Sequence, residues 1–115
     1  MDRNELIEAE QQVAEQLTKT ERVLKEHQES QEEFAQLSKE GQRFFQVILD
    51  LLHGSSERHI FQGLYDEQVS LDKKVKSDFE REYNDLQHDH RHLIAQSERL
   101  ATERQKLDKE EMNGC

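Results

Sequence analysis

Three histidines stand close together in the second half of the chain, at His88, His90 and His92. On a helix His88 and His92 would share a face at a spacing of four residues, which can hold Zn²⁺ or Ni²⁺. His90 would point the other way, and no Cys, Asp or Glu stands at a spacing that obviously completes a tetrahedral site. We therefore expect no metal site and interpret the cluster as solvated, with His90 near a helix seam.

Neighbouring acidic residues recur along the chain and raise the question of paired catalytic carboxylates. They are Glu32-Glu33, Asp66-Glu67, Glu80 with Glu82, and Glu110-Glu111. Acid–base catalysis needs a pocket around such groups, and a chain that is only 32% hydrophobic is poorly suited to form one. The sequence also lacks a Gly-rich phosphate loop and a nucleophile elbow. We expect a protein that is not an enzyme and has no cofactor.

The composition also restricts partners and location. Of 115 residues 37% are charged, and the formal net charge of -10 argues against nucleic acid and anionic membrane as partners. No apolar run approaches the roughly 18 residues that span a bilayer, so we expect no direct membrane insertion. The acidic start lacks the apolar core of a signal peptide. We expect a cytoplasmic protein, or one that is exported together with its partner.

One short stretch near the midpoint is typical of a turn between two helices. Gly54 can adopt the left-handed conformation that closes a helix, and Ser55 or Ser56 can accept hydrogen bonds from the N–H groups that open the next one. Glu57 then suits the positive end of the helix dipole. The sequence contains no proline, so nothing else obliges the backbone to break.

Hydrophobic residues recur every seven positions in both halves, as they do in helices that pack side by side. The regular row of the second half is Phe79, Leu86, Leu93, Leu100 and Leu107. In the first half two such rows form a seam whose middle holds His27 and Gln31, so we expect poor or polar packing there.

If the two arms run antiparallel from Gly54, residues whose numbers add up to about 113 should face each other. This rule pairs Val13 with Leu100 and Phe34 with Phe79, so apolar residues meet apolar residues. The sequence therefore predicts an all-α protein, a long antiparallel two-helix hairpin that resembles a coiled coil. We expect one domain over 1–115, with helix 1 at about 4–52, a turn at about 53–56, helix 2 at about 57–111 and a frayed tail at 112–115.

More apolar residues lie beside the turn than one facing helix can bury. A contiguous apolar surface usually marks an interface, so we expect a four-helix bundle formed by homodimerisation or with a second hairpin. The predicted partner-binding residues are Phe44, Phe45, Ile48, Leu51, Leu52, Ile60, Phe61 and Leu64.

With these elements assigned, the chain resembles the small helical companion proteins encoded beside LXG toxins of type VII secretion in Gram-positive bacteria. The resemblance rests on the start 5–8 (ELIE), the block 41–45 (GQRFF), the entry 58–61 (RHIF) and the closing segment 100–107 (LATERQKL). The related WXG-like hairpins have a Trp beside the glycine of the turn, whereas this sequence contains none.

The resemblance implies a non-enzymatic targeting chaperone. Such a protein would bind the helical N-terminal domain of an LXG toxin, alone or with a second small helical companion, and help to present it to the export machine. These systems use an aromatic residue followed four positions later by an acid as a secretion signal; here Tyr83 is followed by Gln87, so another subunit would supply it. The alternative is a self-assembling coiled-coil dimer or scaffold without a toxin client.

Overall fold

The fold consists of two helices joined by a short turn. A computed structural model describes residues 1–114 and contains α1 (Arg3–Leu51) and α2 (Arg58–Asn113), with no strand among those residues. Contacts between the helices link early residues of α1 to late residues of α2, so the two run antiparallel. The predicted all-α two-helix hairpin is confirmed, whereas its completion to a four-helix bundle stays a prediction.

The helix ends lie within two residues of the predicted bounds. α1 begins after Asp2, whose Oδ1 accepts a hydrogen bond of 2.8 Å from the backbone N–H of Glu5, a typical N-terminal cap. α2 continues to Asn113, so the first two residues of the predicted frayed tail are helical. Cys115, the end of that predicted tail, lies outside the described residues.

The turn follows the chemistry of its small residues. Gly54 has a φ of 83°, the left-handed conformation expected for a glycine that closes a helix. The backbone N–H of Ser55 donates to the carbonyl of Leu52 at 2.8 Å, and that of Glu57 donates to Ser55 Oγ at 3.3 Å. Ser55 thus accepts the hydrogen bond that was expected of Ser55 or Ser56, and α2 begins one residue later than predicted.

Packing divides the hairpin into two units. The terminal unit contains Met1–Lys25 and the described part of Asn84–Cys115. Its core is a buried cluster of Leu6, Val13 and Leu100, against which Leu17 and Leu107 pack. Val13 and Leu100, which the register pairs, therefore belong to the same core. Exposed ion pairs join the two helices around this core, such as Arg104 Nη1 with Glu10 Oε2 at 3.2 Å.

The turn unit comprises residues 26–83. Aromatic rings meet between its helices: those of Phe34 and Phe79 lie 5.7 Å apart, as the register predicted, and those of Phe45 and Tyr65 lie 5.9 Å apart. Leu49 is its buried hydrophobic residue, at 7% exposure. This unit therefore has a much smaller apolar core of its own.

Candidate functional site

The turn unit exposes a row of large apolar side chains on α1. Leu37, Phe44 and Leu51 follow each other at intervals of seven residues, and their exposed fractions are 66%, 62% and 79%. Val47, three residues after Phe44, is 56% exposed. Residues at such spacings share one face of a helix, so the four side chains form one stripe, in which the exposed Glu40 lies between Leu37 and Phe44.

A second row follows the first part of α2. Ile60 is 55% exposed, Leu64 lies four residues further on at 45%, and Leu71 follows after seven more at 58%. This spacing again keeps the three side chains on one face of the helix. Both helices of the turn unit therefore carry an exposed apolar stripe.

None of the residues of the two stripes lines the groove of about 400 Å³ between the helices, whose lining includes Ala35 and Gln42 of α1 and Val69 of α2. We therefore infer that both stripes lie on the other side of the turn unit. Leu37, Phe44 and Leu71 each follow one of these three residues by two positions, which is a rotation of ~200° around a helix. We call the surface opposite the groove the apolar face; its members are Leu37, Phe44, Val47, Leu51, Ile60, Leu64 and Leu71.

The apolar face exposes many large side chains. Its seven members are each at least 45% exposed. Large exposed apolar surfaces of this kind usually mark an interaction site. In the described part of the terminal unit three large hydrophobic residues are exposed, Met1, Ile94 and Met112, against seven on the apolar face.

The eight predicted partner-binding residues divide into two sets. Four lie on the apolar face: Phe44, Leu51, Ile60 and Leu64. The other four, Phe45, Ile48, Leu52 and Phe61, are half-buried. The ring of Phe45 contacts Tyr65 of the facing helix and packs edge-on against Phe44 at 5.9 Å, so it supports the exposed ring from below. The role of all eight in binding a partner stays a prediction.

Three members of the apolar face, Leu37, Val47 and Leu71, are not in the predicted partner-binding set, although Val47 belongs to the apolar excess beside the turn from which that set was drawn. Leu37 and Leu71 lie seven residues from Phe44 and Leu64, so the heptad spacing that identifies the seam could also have identified these outer rows. Val47 lies three residues from Phe44 and four from Leu51, which is the same signal at shorter range.

Charged side chains lie among and beside the residues of the apolar face. Seven such residues lie three or four positions from one of its members: Glu33, Glu40, Asp50, Glu57 and Glu67 are acidic, and Arg43 and Lys74 are basic. We call these seven residues the rim. Five acids against two bases give the rim a net charge of -3, so its electrostatic potential favours a basic partner.

The rim residue Glu57 is held in its ionised form by the turn. The Ser55 hydroxyl donates a hydrogen bond to the Glu57 carboxylate, and the backbone N–H of Glu57 contributes a second favourable interaction. These hydrogen bonds, that from Ser55 first, lower the pKa of Glu57 below its usual value of 4.5. The negative charge thus persists beside the start of α2, where the helix dipole also favours it.

A polar layer separates the two helices beneath this surface. Asp72 is only 8% exposed, and its carboxyl group accepts hydrogen bonds from Ser38 Oγ at 2.5 Å and from Gln68 Nε2 at 2.9 Å. Such a buried polar group costs stability but can fix the register of paired helices. The turn unit therefore has polar side chains between its helices, while many of its apolar side chains lie on the exposed surface.

The histidines take up separate positions. The His27 side chain is 8% exposed in the seam of the turn unit, with Nε2 3.4 Å from Glu82 Oε2 and its ring 5.3 Å from that of Phe79. In the terminal unit His90 is half-buried, with Nε2 3.2 Å from Glu21 Oε1, while His88 and His92 are exposed. Among residues 1–114 no group of three His, Cys, Asp or Glu side chains is placed to hold a metal ion.

The described helices also show no candidate for a membrane span, since neither has a stretch that is both long and apolar enough to cross a bilayer. Comparisons with curated proteins and with solved structures find no match. The resemblance to LXG companions stays a prediction. The model of a family described as protein of unknown function (DUF3958) matches residues 3–107, nearly the whole chain. The protein therefore belongs to the DUF3958 family.

Proposed function

We propose that the protein is a non-enzymatic targeting chaperone that binds the helical N-terminal domain of an LXG toxin and promotes its export by the type VII secretion system. The observation that carries this proposal is the apolar face of the turn unit. An isolated hairpin leaves this surface in water, whereas the helices of a partner would cover it. The resemblance of the sequence to LXG companion proteins supplies the identity of that partner.

The physical reason for binding is burial of apolar surface. Removing such surface from water stabilises a complex by roughly 25 cal/mol per Å², before the cost of association is subtracted. Two helices that present adjacent apolar stripes are suited to a pair of helices, because the result is a four-helix bundle with the stripes in its core. A toxin domain made of long helices fits this requirement.

Exposed members of the apolar face provide the direct test. Phe44→Ala together with Leu51→Ala removes two large side chains at 62% and 79% exposure, with little expected effect on the hairpin. Because interface energy concentrates in a few large side chains, we expect the affinity for a co-expressed LXG domain to fall about a hundredfold. Phe61→Ala would test binding less directly, because Phe61 is half-buried and its truncation should also lower the stability of the hairpin.

The terminal unit offers a matched control. Ile94→Ala together with Met112→Ala also truncates two exposed apolar residues, at 39% and 80% exposure, but outside the turn unit. Co-purification with the LXG domain should survive in this variant, and circular dichroism should show the same helicity in both variants. Unchanged binding in the Phe44→Ala, Leu51→Ala variant would place the interface elsewhere and contradict the proposal.

The alternative is a self-assembling coiled-coil dimer or scaffold without a toxin client. The same apolar face supports it, since two copies could bury this face against each other around a two-fold axis. This alternative predicts a stable homodimer in isolation, which the same Phe44→Ala, Leu51→Ala variant should dissociate. Light scattering on a sizing column separates the two functions, because only the chaperone requires the toxin domain to form its complex.

A further inference from the structure

The charges of the rim favour some partners of the apolar face over others. We propose that the apolar face docks an amphipathic helix whose apolar stripe is bordered by Lys or Arg. This inference rests on the proposed function in one respect, because it describes the segment of the client that the chaperone would contact. The charges and spacings of the turn unit support it.

The face offers the geometry that such a helix needs. Its residues on α1 repeat at intervals of seven, and so do Leu64 and Leu71 on α2, which is the spacing that receives the side chains of a parallel or antiparallel helix. The half-buried Phe45 holds the exposed Phe44 ring from one side at 5.9 Å. An apolar stripe of heptad spacing on the partner would therefore meet a complementary surface.

The rim then selects the charge of the partner. Glu40 lies three residues after Leu37 and four before Phe44, and Glu67 lies between Leu64 and Leu71 in the same way. Both acids are exposed and lie within reach of groups that flank a docked helix. Glu40 and Glu67 would attract Lys or Arg at those flanking positions. Glu or Asp there would be repelled by these two acids, which would lower the affinity.

The same rim disfavours a second copy of this chain as the occupant. If two copies paired face to face, the rim of net charge -3 on one would lie against the rim of the other. Because the whole chain also carries a net charge of -10, two copies would repel each other as they approach and again once their rims lie together. A partner with basic flanks faces no such penalty.

Two synthetic helical peptides test this inference without the toxin. Both contain about three heptads with one identical Leu stripe; one has Lys and the other Glu at all flanking positions. We expect fluorescence anisotropy to show that the full-length protein binds the Lys peptide at least about tenfold more tightly than the Glu peptide. The difference should shrink as NaCl rises from about 0.05 to 0.5 M, because salt screens exposed charges.

Charge reversals locate the effect. Glu40→Lys with Glu67→Lys changes the rim from -3 to +1 and should abolish the preference for the Lys peptide. Glu8→Lys with Glu15→Lys changes the net charge of the chain by the same amount on exposed positions of the terminal unit, and should leave the preference intact. Equal loss in both variants would show attraction to the overall acidity and overturn the inference.

Two further outcomes would also overturn it. Equal affinity for the two peptides would show that the rim does not select charge. A wild-type homodimer that Phe44→Ala with Leu51→Ala dissociates would show that a second copy covers the face. Failure of the LXG domain to bind while the peptide preference holds would contradict the proposed function alone, so the two conclusions can fail separately.

Discussion

The two units of this hairpin are built from the same two helices but use their apolar residues in opposite ways. In the terminal unit Leu6, Val13 and Leu100 are 2%, 4% and 6% exposed, and ion pairs lie around them. In the turn unit a buried Asp72 occupies the seam, while seven large apolar residues face outward. The terminal unit thus buries its apolar side chains within the hairpin, whereas the turn unit exposes apolar side chains that a partner could bury.

The difference originates in how wide an arc of each helix is apolar. The second half of α2 carries one regular heptad row with mostly polar neighbours, which a single facing helix can cover. Over residues 44–52, the end of α1 and the first residue of the turn, seven of nine residues are hydrophobic, so the apolar arc extends around most of the helix. A two-helix hairpin buries only one side of such an arc, and the remainder becomes a surface for binding.

The largest effect on stability is expected from the core of the terminal unit. Leu100→Ala removes a side chain that is 6% exposed, and should lower the free energy of unfolding by about 2–4 kcal/mol. Leu71→Ala, at 58% exposure in the turn unit, should change it by less than about 0.5 kcal/mol. Urea unfolding followed by circular dichroism measures both, and equal losses would contradict the comparison.

The polar seam of the turn unit gives the next largest effect. Ser38→Ala removes the hydroxyl that donates to Asp72 at 2.5 Å and should cost about 1–2 kcal/mol, because the buried carboxyl oxygen loses its donor. Adding Asp72→Leu makes the layer apolar and should restore at least the wild-type stability. If the double variant unfolds at the same urea concentration as Ser38→Ala, the seam does not limit the stability of this unit.

Substituting glycine by alanine should change stability in opposite directions in the turn and in the helix beside it. Gly54→Ala places a side chain at a φ of 83° and should destabilise the hairpin by about 1 kcal/mol. Gly63→Ala adds a Cβ within α2, where no atom lies within 4 Å, and should stabilise it by about 0.5–1 kcal/mol. Thermal unfolding measures both changes. If both substitutions changed the stability in the same direction, this would argue against the left-handed conformation of Gly54.

The smallest effect concerns the pH dependence of the turn. The pKa of Glu57 is lowered in the folded state, so its charge stabilises the hairpin above about pH 4.5, and this contribution is lost as the pH falls through the lower folded-state value. Ser55→Ala removes the principal cause and should move the pKa back towards 4.5, whereas Ser56→Ala should not. An NMR titration of the Glu57 carboxyl carbon reads this directly; identical pKa values in both variants would exclude the Ser55 hydrogen bond.

The fold could be predicted from the sequence because its signals are local. Gly54 and the absence of proline define one turn, and the heptad rows set a register in which Phe34 does meet Phe79. The buried Asp72 was not foreseen, because acidic residues on helices usually face solvent. Its burial depends on Ser38 and Gln68, which become neighbours of its carboxyl group only once the helices pair.

The candidate site was predictable in position but not in detail. Phe44 and Phe45 are adjacent in sequence and ~100° apart around the helix, so only one of them can face α2. Phe45 lies two heptads after the seam residue Gln31 and contacts Tyr65 of the facing helix, so the heptad rows do place Phe45 inward and Phe44 outward. What the spacing leaves open is how much of each outer side chain stays exposed, because that depends on the packing of the facing helix.

The most direct test of the central claim is the mass of the protein in solution, alone and mixed with an LXG domain, by light scattering on a sizing column. We expect the wild-type protein to gain mass by forming a stable complex with the domain, and the Phe44→Ala, Leu51→Ala variant not to do so. A tight homodimer that does not bind the LXG domain would contradict the targeting-chaperone function and favour a self-assembling scaffold.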